Sequence, residues 1–180
     1  MALVCLSLFV VTVVHANDSE YREIEWTDLI PQQDYEALMN PPSYINDIED
    51  GSVEDVLGGS AGNPSGPWVD DPYQNALVST RVVGELNGEN IRMPGFLVPL
   101  EFDNSMNITQ FFLVPYFGAC IHLPPPPPNQ MVLVEYPQGF APDSLFEPYW
   151  VEGKLSTQVV ENEVGTSAYA LRLDSYERYQ

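Results

Sequence analysis

Five consecutive prolines, Pro124 to Pro128, interrupt this chain two-thirds of the way along. Each lacks a backbone N–H and holds φ near −65°, so the run fits neither a helix interior nor a central strand. It predicts a stiff polyproline II rod, roughly 15 Å long at about 3.1 Å per residue. Immediately before it stand Cys120 and His122, two positions apart, in Tyr116-Phe-Gly-Ala-Cys-Ile-His-Leu. On extended backbone, residues at that spacing point to the same side. A thiol, an imidazole and a rigid wall therefore meet on one connection.

The sequence on either side reads as β structure. Leu77–Gly84 is rich in β-branched residues, and Asn87-Gly88 is a hairpin signal between it and the run Glu89–Leu100. Pro94-Gly95 within that second run suggests a bulge or bend. Further strands are expected at 108–115, 130–136, 149–156 and 168–176. In the last of these Tyr169, Leu171 and Leu173 share one face, while Ala170, Arg172 and Asp174 share the other. Five or six short strands with turns between them predict a mainly β fold, a small OB-like barrel, closed or partly open; a β-sandwich is the alternative.

Ahead of the strands the texture differs. Met1 to Ala16 is apolar and free of Asp, Glu, Lys and Arg, and ends in Val14-His15-Ala16 before polar residues. It reads as a secretory signal peptide, too short for a permanent membrane span. Residues 17–76 carry 14 acids against Arg22 alone and form an acidic N-terminal arm. The arm opens with the apolar anchor Trp26–Pro31 and one short helix over 33–39, which Pro41-Pro42 stops. Ser43 to Pro72 is rich in Asp, Glu, Gly, Ser and Pro and is expected to be irregular. Asp47–Gly51 fails the register of an EF-hand, because Ile48 would fall at its third position. Residues 77–180 are assigned to the barrel.

With 26 acids and 6 bases, the net charge of −20 is incompatible with nucleic-acid or anionic-membrane binding by charge. Once the signal peptide is removed, Cys120 and His122 are the sole cysteine and histidine, so no intrachain disulfide forms. A lone thiol in an oxidising compartment is buried, metal-bound or reactive.

Around this connection the chain resembles bacterial secreted proteins of the Domain of Unknown Function 3299 family. The resemblance rests on Gly118-Ala-Cys-Ile-His-Leu-Pro-Pro-Pro-Pro-Pro-Asn-Gln130, with Pro94–Leu100, Phe111–Phe117 and Tyr149–Leu155 fitting the same pattern. It covers roughly Leu77 to Glu177 and the entry Trp26–Pro31, and leaves the Ser43–Pro72 arm unexplained. It implies export, and an association of some members with ABC-type transport systems in zinc-responsive clusters.

Three functions follow as expectations. The first is a periplasmic or secreted, non-catalytic accessory in metal handling, with Cys120 and His122 as ligands for zinc or copper. Two ligands are too few for a tetrahedral site. Asp103, Met106, Met131, Glu135 or a homodimer would have to supply the rest. The second is an interaction module that offers a polyproline ridge to a transport component or other envelope protein through Tyr116, Phe117, Pro124, Pro125, Pro126, Pro127, Pro128, Asn129 and Gln130. The third is a thiol enzyme, for which the sequence offers no oxyanion-hole signature, no resolving cysteine and no nucleotide or organic cofactor motif. A purely structural reading places Cys120 in the core, with Asn129 and Gln130 replacing the hydrogen bonds that the prolines cannot make.

Overall fold

A computed structural model describes residues 20–47, 70–119 and 126–179. The signal-peptide reading of Met1–Ala16 and most of the irregular arm lie outside the described residues. The chain enters as a two-residue strand β1 (Arg22–Glu23), a 3-10 turn (Trp26–Leu29), helix α1 (Gln32–Met39) and, across the undescribed stretch, helix α2 (Pro72–Leu77). Asp71 caps α2 by accepting from the Tyr73 and Gln74 amides, with Pro72 at the first helical position. Strands β2 (Asn90–Phe102), β3 (Ile108–Val114), β4 (Val132–Phe140) and β5 (Tyr149–Ser156) follow. A small hairpin of β6 (Val160–Glu161) and β7 (Thr166–Ser167) then leads into β8 (Tyr169–Arg178).

The strands pair in the order β2-β3-β4-β8-β5, and β5 closes onto β2. This is a closed five-stranded barrel with β1 added to β2, and not a sandwich. Closure removes the exposed edges that a sheet of this size would otherwise present. β4 and β8 run parallel; every other pair around the barrel is antiparallel. One long strand joins the two halves: β2 pairs with β5 from Asn90 to Gly95 and with β3 from Phe96 onward. The change of partner falls where Pro94-Gly95 announced a bend. The register irregularity itself lies further on, beside Pro99, which has no donor for the ladder.

Alternation sets the core. Ile91, Met93 and Leu97 of β2, Phe111 and Leu113 of β3, Val132 and Val134 of β4, Val151 and Leu155 of β5, and Tyr169, Leu171 and Leu173 of β8 fill the interior. The face expected for β8 is the buried one. At Gly153 the backbone of β8 leaves no room for a side chain: a Cβ there would overlap the Arg172 carbonyl oxygen. Ile24 and Leu29 of the entry segment are fully part of this core. Burying Leu29 alone contributes about 2 kcal/mol. The Trp26 indole covers Gly95 and donates to the Pro94 carbonyl at 2.7 Å.

Two local expectations are corrected. Leu77–Gly84 is no strand: it follows α2 as irregular chain and runs into a 3-10 turn, Gly84–Leu86. Its β-branched residues pack Val82 and Val83 sideways onto the core, and that burial outweighs local strand preference. Asn87-Gly88 does form a turn, with Gly88 at φ +86°, but it joins that 3-10 turn to β2. The predicted helix is present as α1, and the strands expected from 89 onward are β2, β3, β4, β5 and β8 within a few residues. The β6–β7 hairpin was not anticipated; it is two residues deep and too short to give a periodic signal.

Candidate functional site

The connection from β3 to β4, residues 115–131, carries the motif, and its two ends are built differently. After β3, Pro115 stops the ladder. Tyr116 and Phe117 stand out at 46% and 49% exposed. Gly118 then turns the chain at φ +78° and Ala119 goes fully into the interior. Cys120, His122, Pro124 and Pro125 lie outside the described residues. The far end is sealed in. Pro126 is buried, Pro127 is in polyproline II geometry (φ −53°, ψ 148°), and Pro128 already opens the 3-10 turn Pro128–Gln130. The rod therefore bends one residue earlier than its composition suggests. The Pro128 carbonyl accepts from Ala168 N at 2.7 Å, tying the connection to the approach to β8.

Asn129 and Gln130 are interior fasteners, which leaves them no surface to offer a partner. Gln130 donates its side-chain amide to the Trp26 carbonyl at 2.8 Å. Asn129 is fully buried and donates its amide to Asp34 Oδ2 at 3.2 Å and to the Arg81 carbonyl at 3.3 Å. Its backbone N–H reaches the Ser79 carbonyl at 3.2 Å. Asn129 Oδ1 has no hydrogen-bond partner among the described residues. Asp34, on α1 and equally buried, also accepts from Ser79 Oγ at 2.6 Å and forms an ion pair with Arg81, whose side chain is half exposed. Four residues from three distant segments thus meet around one carboxylate. Tyr169 adds a second fastener: its hydroxyl donates to the Leu29 carbonyl at 2.9 Å and accepts from Val83 N at 2.7 Å. Burial pushes that hydroxyl above its ordinary pKa.

On the outside, Tyr116 and Phe117 adjoin an aromatic group the sequence did not reveal. Phe117 meets Phe96 edge-on at 6.2 Å and tilts against Phe146 at 5.3 Å. Phe146, 75% exposed, and Leu145 sit on the loop between β4 and β5. That loop is held: Phe146 N donates to Ser144 Oγ, Ser144 N to the Tyr149 hydroxyl, and Glu147 pairs with Arg178.

Among the described residues no group of three or more His, Cys, Asp or Glu converges as a metal site. The supplementary ligands considered from sequence all lie within the described residues. Asp103 accepts from the Ser105 and Asn107 amides and the Asn107 side chain, which holds its carboxyl below the usual range. Met131 is buried in the outer cluster, Met106 is exposed at a loop tip, and Glu135 faces out from β4. No helix among them is long and apolar enough to cross a membrane.

The usual ligand face of an OB-like barrel, the outside of its second and third strands, is closed. Those strands are β3 and β4 here. Phe112, Val114, Met131 and Leu133 form a second buried cluster under Val160, and a Cβ at Gly165 would come within 3.2 Å of Met131 Cε. Covered by the β6–β7 hairpin and set in a strongly acidic chain, this face cannot take an oligonucleotide in the usual way.

These features define a five-stranded OB-like barrel strapped by its own N-terminal segment, with the connection after its second strand left to present side chains. The chain belongs to the DUF3299 family of proteins of unknown function, whose model matches residues 26–178. It is similar to a DUF3299 family protein from Pseudomonas aeruginosa PAO1 with a known crystal structure: 32% identity, TM-score 0.63, covering 89% of this chain and 97% of that one. No curated protein matches it.

Proposed function

We propose that this protein is an exported, non-catalytic binding module of the cell envelope. Its barrel is the scaffold, and its working surface is residues 115–119 with the aromatic side chains beside them. The observation that carries this reading is the exposed pair Phe117 and Phe146, with Phe117 packed edge-on against half-buried Phe96 and flanked by Tyr116. Large apolar side chains grouped on the surface and held by a bonded loop are what a protein contact requires. The test is a photo-crosslinking amino acid placed at Phe117 or Phe146 in the cells of origin. A discrete adduct at both positions, absent when the crosslinker replaces exposed Val164 between β6 and β7, is expected. Diffuse or missing adducts refute the reading.

A second reading, metal handling, is favoured by the Cys120-x-His122 spacing. In it, one thiolate and one imidazole hold a transferable zinc or copper ion, and a second copy completes the ligand count. Stoichiometric zinc in the wild type, lost in Cys120→Ser and His122→Ala, supports this role. No zinc above micromolar affinity removes it.

A further inference from the structure

Resting on the binding-module reading, we infer that the partner presented to this surface is a cationic, apolar protein segment, one in which Lys or Arg residues flank large apolar side chains. The argument starts from charge. Of the six bases, three are already paired within the chain: Arg81 with Asp34, Arg92 with Glu152 and Glu177, and Arg178 with Glu147. The surplus of acid is therefore not relieved internally, and it surrounds whatever docks. Locally the pattern is sharper. The loop that lifts Leu145 and Phe146 reads Asp143-Ser-Leu-Phe-Glu147, with an acid on either side of the apolar pair. Glu147 pairs with Arg178, while Asp143 is exposed, makes no salt bridge among the described residues and adds only a weaker field at the same guanidinium, so the two acids outweigh that one base. Asp143 is also close enough to Tyr176 to help push that hydroxyl's pKa up, so its field already falls on an aromatic neighbour.

Geometry adds preorganisation. Ser144 is held by Tyr149, Phe146 N by Ser144, and Tyr179 N by the Pro148 carbonyl at 3.0 Å, so the loop is fastened at both ends. A fastened loop loses little further entropy when a partner binds. The exposed rings supply non-directional contact area, and the acids beside them select the sign of the charge that flanks it. A neutral or acidic apolar segment would bury the same rings but would leave Asp143 desolvated and unpaired.

The probe is a short synthetic peptide alternating Lys with Phe and Leu, compared with its Glu-for-Lys counterpart, titrated into the full chain by calorimetry and by backbone amide shifts. Saturable binding of the lysine peptide is expected, with shifts at residues 116–117 and 143–147. Phe146→Ala, at a site exposed enough to leave folding intact, weakens it about tenfold. Asp143→Asn weakens it about threefold and flattens its salt dependence, and Val164→Ala leaves it unchanged. Equal binding of the glutamate peptide, or lysine-peptide binding indifferent to Phe146→Ala, overturns the inference. Discrete crosslinks from Phe117 and Phe146 alongside such a result would keep the binding module and discard only its cationic partner. Missing crosslinks would remove both.

Discussion

Replacing Asp34 with Ala tests whether the N-terminal strap and the motif connection are one energetic unit. Asp34 is fully buried and receives Ser79 Oγ at 2.6 Å, the Asn129 amide at 3.2 Å and the Arg81 guanidinium. Three losses follow from its removal. The Arg81 side chain is half exposed and returns to water, so that pair contributes at most about 1 kcal/mol. The Ser79 hydroxyl and the Asn129 amide are buried and each lose a partner, at about 1 kcal/mol apiece. Asn129 is the more sensitive of the two, because its Oδ1 is already unpartnered. Together the loss is about 3 kcal/mol, or a fall in Tm of roughly 6–12 °C for a chain of this size. Urea and thermal unfolding of the wild type, Asp34→Ala, Asn129→Ala and the double variant form the assay. A coupling energy of about 1 kcal/mol between the two sites is expected. Hydrogen exchange of the Asn129 amide, which is bonded to the Ser79 carbonyl, should accelerate in Asp34→Ala by more than amides at the centre of β8. A loss below about 1 kcal/mol with additive effects would refute the reasoning, and would mean that the strap is held without the Asp34 cluster.

Three further outcomes follow from single groups. Gly153→Ala would drive a methyl group into the Arg172 carbonyl and crowd Leu171, lowering stability by about 3 kcal/mol in the same unfolding assay. Met106, exposed and at φ +66°, holds the left-handed conformation without glycine's freedom, so Met106→Gly should raise stability by about 1 kcal/mol. Glu152 has its carboxyl held below the ordinary range, first by the Ser175 hydroxyl and then by Arg92. A lowered folded value gives stability that is complete above the unfolded pKa and is lost as pH falls through the folded one. Acid unfolding curves should therefore drop below about pH 4, and Glu152→Gln should flatten that part of the curve.

Burial alternation over β2, β5 and β8 was legible because each has one face in the core, which writes a period of two into its residues, whereas β3 and the start of β4 are buried on both faces and read as continuous apolar runs. The Asn129-Gln130 fasteners were half legible. The donor-less prolines require someone to restore hydrogen bonds, and the next two side chains do so, but their acceptors could not be named. Asp34 reads locally as an acid in the first turn of a helix, an ordinary preference. Its partners lie 45 to 95 residues away, and nothing in a short window records them. Phe146 looks from sequence like any loop aromatic. Its significance arises because the start of β5 lies beside the β2 bend and the end of β3.

Periodicity, charge and proline stereochemistry are local properties, so the five barrel strands, the acidity and the placement of the proline connection could be read from the residues alone. Closure of the barrel, the completion of its core by residues 24–34 and the fastening of the far end of the proline run were set by the tertiary structure. Those outcomes depend on which distant segments satisfy one another's buried polar groups, and that pairing exists only once the chain has closed on itself.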